Sequence, residues 1–186
     1  MLKPTALILL IFSATSTAND NASNEPSIKD LDILIGKWRY VDEATELAGF
    51  DYHETGETEC AYALDGAYIR CQGTGVYNGK QRTFVEFLNY NRFTEEFQRV
   101  GMFGNHPAIA SFTLEISDDG KRIEQRGKPM PQRDGTYTRN WGVITFVDDN
   151  HYTWDVHVNR SNEAPNHWPR KFVSQFERVV ESDDQN

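Results

Sequence analysis

The sequence predicts an all-β protein: an antiparallel up-and-down barrel of about ten strands with one short N-terminal helix. Three observations carry this. Runs of alternating, β-branched and aromatic residues recur at 37–44, 55–64, 67–77, 82–90, 97–103, 111–117, 122–128, 136–147, 151–159 and 171–180. Tight-turn signals fall between them: Asp65-Gly66, Asn78-Gly79, Asp119-Gly120 and the stretch 148–150. Beyond Gly36 no apolar series keeps a helical period over any length. Closing so many hairpin strands into a barrel removes their exposed edges.

Composition bounds the function. The 186 residues carry 19 Lys+Arg against 28 Asp+Glu, a formal charge of −9. That acidity excludes a basic footprint for nucleic acid and disfavours docking on an anionic membrane. With 38% apolar and 12% aromatic residues, the chain has the material for a real core, which argues against wholesale disorder.

Taken in order, residues 1–18 form an address. Lys3 precedes an apolar run, and Ser16-Thr17-Ala18 presents small residues to a signal peptidase. The run is shorter than the roughly 20 residues of a bilayer span. The expected location is therefore periplasmic or secreted, with no membrane attachment after signal cleavage. Residues 19–26 form a flexible tail, 27–181 the barrel domain and 182–186 an acidic tail. The helix starts at Ser27, with Asp30 placed as in a capping box, and stops at Gly36.

Two turns set the register. Centred on Asp65-Gly66, Tyr62 faces Ile69 and Cys60 faces Cys71. Opposed strand residues lie within disulfide reach, and export favours oxidation. Cys60 and Cys71 are therefore expected to be bridged, across a hydrogen-bonded pair; the alternative is two buried free thiols. Centred on Asn78-Gly79, Ile69 meets Leu88 and Cys71 meets Glu86. Cys60, Tyr62, Leu64, Ile69, Cys71, Phe84, Glu86, Leu88 and Tyr90 then share the inner face. In the late hairpin, Trp141, Val143, Thr145 and Val147 are expected to join Tyr152, Trp154, Val156 and Val158. In the last strand Phe172, Ser174, Phe176 and Val180 align, with Arg178 among them.

A short helix leading into Gly36-Lys37-Trp38 resembles the Gly-x-Trp opening of lipocalin and calycin barrels. The stretch from Glu86 to Asn91 (EFLNYN), followed by Phe97, resembles a bacterial exported, lipocalin-like family of unknown function. The resemblance implies a structural role for Trp38 at the closed end, under Arg178 from the last strand.

The chemistry on offer is limited. Glu86 is a carboxylate among aromatics, and pairing Tyr90 near Phe97 brings Arg99 to it. Glu86, Arg99, Tyr62 and Tyr90, with Trp154 on the inner wall, are the expected polar anchor of an apolar pocket. The alternative is a structural ion pair, or a register slip that turns Glu86 outward. No His set has metal-ligand spacing, so no metal and no cofactor are expected. Haem, held by an axial His in barrels of related shape, is a minor alternative. No nucleophile motif or phosphate loop is present, and no catalytic residue is assigned. Asn21-Ala22-Ser23 and Asn159-Arg160-Ser161 match the glycosylation sequon.

The expected function is therefore an exported barrel that binds a small apolar or amphipathic molecule. One alternative is an enzyme using Glu86 as acid or base. Another is a structural or partner-binding exported domain with a filled interior, which a cavity below about 300 Å³ favours. Oligomeric state does not follow from the sequence.

Overall fold

The computed structural model describes residues 25–180; the expectations for 1–18, for most of 19–26 and for 182–186 lie outside these residues. The strands are β1 (Gly36–Ala44), β2 (His53–Ala63), β3 (Tyr68–Tyr77), β4 (Lys80–Asn91), β5 (Glu96–Phe103), β6 (His106–Ile116), β7 (Arg122–Gly127), β8 (Met130–Pro131), β9 (Tyr137–Asp148), β10 (His151–Arg160) and β11 (Arg170–Arg178). All pair antiparallel. Neighbours in sequence pair around the ring, β9 meets β7 and β10, and β11 returns to β1, so ten strands close a barrel. The two-residue β8 hangs from β9 outside the ring.

The N-terminal helix is a seven-residue 3-10 helix, Ile28–Leu34. The Asp30 carboxylate accepts from the Ser27 backbone N–H at 2.9 Å, the Asp-for-Glu half of a capping box. Leu31 and Leu34 are buried and close one end of the barrel. Trp38 donates its indole N–H to the Leu34 carbonyl at 3.0 Å. The Arg178 guanidinium lies 4.1 Å from the Trp38 ring centroid and donates to the carbonyls of Ile33, Ile35 and Asp149. A cation–π face and three backbone acceptors thus tie the last strand to the helix.

The first two turns fix the register as expected: Cys60 pairs Cys71, Ile69 pairs Leu88 and Cys71 pairs Glu86. Asn78 and Gly79 both have positive φ, at 48° and 71°, so that turn has two residues. The other loop differs. It closes on Ala63 and Tyr68, with Leu64, Asp65 and Gly66 all at positive φ. Four loop residues in place of two keep the register but shift the hydrogen-bond phase by one residue. Cys60 and Cys71 therefore oppose each other in a close, non-hydrogen-bonded pair, with Cα atoms 4.0 Å apart, and form a disulfide.

The late hairpin corrects its expected register. Tyr152 pairs Phe146, Trp154 pairs Ile144 and Val156 pairs Gly142, because a bulge lies between His151 and Tyr152. One extra residue turns each side chain of β9 over. Gly142, Ile144 and Phe146 therefore share the inner face with Tyr152 and Trp154; Trp141 does not, and Val147 is exposed. Trp141 lies outside, stacked on His157 with centroids 4.6 Å apart. Asn159, of the second sequon, is fully buried and donates to the carbonyls of Ala164 and His167, which places it out of reach of glycosylation.

Candidate functional site

The inner face follows strand parity, and it delivers polar groups as well as rings into the barrel. Arg99 pairs Leu88 across β4 and β5, which sets Glu86 on the diagonal. Arg99 Nη2 donates to both carboxylate oxygens of Glu86, at 2.6 and 2.7 Å, and Nη1 donates to Gln125 Oε1 at 2.7 Å. All three residues are buried, Gln125 at 1% exposure. The guanidinium also lies 4.7 Å from the Trp154 ring centroid. Burying such a pair is tolerable because each charge is bonded to its partner. Glu86 is thereby the counterion that holds Arg99, and neither of its oxygens is a free base.

This cluster is incomplete. Arg99 Nε, Gln125 Nε2 and Trp154 Nε1 are buried donors without a hydrogen-bond partner. A buried, unfilled donor costs about 1–3 kcal/mol, so native proteins fill most of them. Two of the three converge: a Cβ built on Gly142 would run into both Gln125 Nε2 and Trp154 Nε1. Glycine on β9 is what lets both donors approach the wall there. The three line one cavity of about 80 Å³, together with Leu88, Leu114, Ile123, Ile144, Phe176 and others.

A second polar cluster lies four residues along β4, roughly 13 Å from Glu86. Glu54 is fully buried and accepts from Tyr40 at 2.6 Å, Tyr52 at 2.7 Å and Arg82 Nε at 2.5 Å. Burial opposes its ionisation, but the bonds from Arg82 and the two tyrosines outweigh burial and hold its carboxyl below the usual range. Both tyrosines are pushed up, first by burial and then by their bond to Glu54. A side chain at Gly75 would collide with Glu54 and Tyr40, so glycine there makes the space for this cluster. Asp42 lines the same cavity as Glu86 and takes a bond from Ser174 Oγ at 3.0 Å. Burial pushes its carboxyl up to about 6 against that bond, with Glu54 adding to the rise.

Glu86, Arg99 and Trp154 line the cavity; Tyr62 and Tyr90 do not. Tyr62 sits near the 64–67 loop, is 44% exposed and donates to Asp32 of the 3-10 helix. Tyr90 packs on Phe97, with centroids 4.9 Å apart. Both follow the inward parity, but at strand ends that parity points past the cavity. Sequence reading missed Asp42, Glu54, Arg82 and Gln125. Parity alone finds three of them: Asp42 with Trp38, Glu54 with Cys60, Arg82 with Phe84. Among the described residues no group of three or more His, Cys, Asp or Glu could hold a metal.

A family model described as "Protein of unknown function (DUF1579)" matches residues 26–171. No curated protein matches the chain. An S-type phycobiliprotein lyase (CPES) from Guillardia theta is structurally similar, with TM-score 0.55 and 12% identity over 84% of this chain and 95% of that one. A redesigned β-barrel gives TM-score 0.42 and 8% identity, covering 80% and 94%. Another, mFAP0 bound to DFHBI, gives 0.40 and 11%, covering 78% and 99%. At these identities the likeness to the lyase concerns the fold alone: a calycin-like barrel. The chain belongs to the DUF1579 family.

Proposed function

We propose that this DUF1579 protein binds a compact amphipathic molecule inside its barrel, the acceptor end of the ligand seated on Arg99, Gln125 and Trp154. The observation that carries this reading is the set of three buried donors with no partner. A carboxylate or carbonyl oxygen would fill them, while Leu88, Leu114, Ile123 and Ile144 offer apolar wall. Arg99 is already neutralised by Glu86, so the seat takes a neutral acceptor as readily as an anion. The cavity of about 80 Å³ suits a ligand of roughly five to eight heavy atoms, counted at about 10–15 Å³ per water. An exported, oxidising setting is part of the proposal; the Cys60–Cys71 disulfide supports it. Among the described residues no helix is long and apolar enough to cross a membrane.

At about 80 Å³ the cavity falls below the roughly 300 Å³ that divides the readings, and by volume alone favours a second one, a filled barrel whose role lies on its outer surface; the three unfilled donors are what keep the ligand reading first. Calorimetric titration with short carboxylates, acetate to hexanoate, decides between them. The ligand reading expects saturable binding that peaks at intermediate chain length and is lost in Gly142→Ala. Absence of binding across the whole series leaves the filled barrel standing.

A further inference from the structure

Resting on that reading, we infer that the ligand is amphoteric: an acceptor at one end, seated on the three donors, and a protonated amine at the other, meeting Asp42. The geometry is a row across three adjacent strands. Asp42 pairs Ser174 on β11, and Ser174 pairs Trp154 on β10. Paired residues point to the same face, so all three side chains enter the barrel, with Asp42 and Trp154 two strand spacings, roughly 10 Å, apart. Both line the one cavity.

The charges along that cavity do not cancel. Arg99 is bonded to Glu86 and Arg82 to Glu54. Asp42 stands directly across from Glu54 on β2, one carboxylate beside another, and takes the Ser174 hydroxyl. A carboxylate among apolar walls is stabilised by a cation in reach. The donor pole lacks acceptors, and the cation that acts on Asp42, Arg82, is bonded to Glu54 rather than to Asp42; one small molecule with both ends answers both. Neither a simple fatty acid nor a simple amine does so.

Titration of the intact protein at about pH 7.5 with 4-aminobutyrate, butyrate and butylamine tests this. The expected result is that 4-aminobutyrate binds at least about ten-fold more tightly than either single-ended analogue, and that Asp42→Asn brings 4-aminobutyrate and butyrate within about two-fold. The wild-type protein supplies the same test without substitution. Near pH 5 Asp42 takes a proton, under the influence of Glu54, Arg82, Glu43 and Ser174 around it, and the preference collapses. Butyrate binding as tightly as 4-aminobutyrate, or a preference that survives both changes, overturns the amphoteric ligand and leaves the donor seat intact. Binding of none of the three overturns the seat as well.

Discussion

The barrel contains two fully or nearly buried glutamates, and their surroundings are finished differently. Around Glu54, Tyr40, Tyr52 and Arg82 each spend a donor on the carboxylate. Around Glu86, Arg99 closes a two-oxygen bond, yet Arg99 Nε, Gln125 Nε2 and Trp154 Nε1 are left over. Both clusters answer the same demand, that a buried charge be paired. Only one of them leaves buried donors unfilled. A completed network is a brace; an incomplete one in a cavity is where a ligand or water has work to do.

The comparison can be broken most forcefully at Arg99. Arg99→Met strands Glu86 in the core and is expected to cost about 3–5 kcal/mol in urea unfolding. Adding Glu86→Leu should recover most of that loss, since an apolar pair replaces an ion pair at little penalty. If the double variant is no better than Arg99→Met alone, the Glu86–Arg99 bond is not the source of the effect. Glu54→Gln, at the completed cluster, weakens three bonds together and is expected to cost about 2 kcal/mol. Short carboxylates should stabilise that variant as they do the wild type, because its donor seat is untouched.

Gly142→Ala separates the two clusters more finely. Its Cβ displaces Gln125 and Trp154, an overpacking expected to cost about 1–3 kcal/mol. It should also abolish the rise in melting temperature that butyrate gives the wild type. A retained rise would show that the donors do not hold the ligand.

The last effect is a matter of pH. Asp42 has its carboxyl raised from 3.8 to about 6 by burial, so the folded chain holds that proton more tightly than the unfolded chain. Between these values the folded state binds the extra proton, and stability falls as pH rises through about 4 to 6. Asp42→Asn removes this loss. It should melt higher than wild type at about pH 7.5 and gain nothing at about pH 4; a gain equal at both pH values contradicts the assignment.

Much of this was legible in the chain. Asn78-Gly79 and the 64–67 loop set the register of β2, β3 and β4, and with it the Cys60–Cys71 bridge and the inward placement of Glu86. The same parity, run two residues back from Phe84 and six back from Cys60, reaches Arg82 and Glu54; starting the strand at Thr55 hid the second. Other features left no readable trace. The bulge at Tyr152 has no compositional mark, and Trp141, Val143 and Val147 make as convincing a core series as Ile144 and Phe146. Outer-face apolar residues are abundant there because Trp141 packs against His157 and Trp168. Gln125 reaches Arg99 only through the ring order β5, β6, β7, which no short-range turn signal encodes for a polar side chain.

The central claim is that the leftover donors form a seat for an acceptor. The indole N–H resonance of Trp154, assigned by comparison with Trp154→Phe and followed by nitrogen–proton correlation spectroscopy during titration with 4-aminobutyrate, reads that seat directly. The account predicts a saturable downfield shift of this resonance, while the Trp38 indole, already bonded to the Leu34 carbonyl, stays still. A Trp154 resonance unmoved at saturating ligand, or moving no more than that of Trp38, contradicts it.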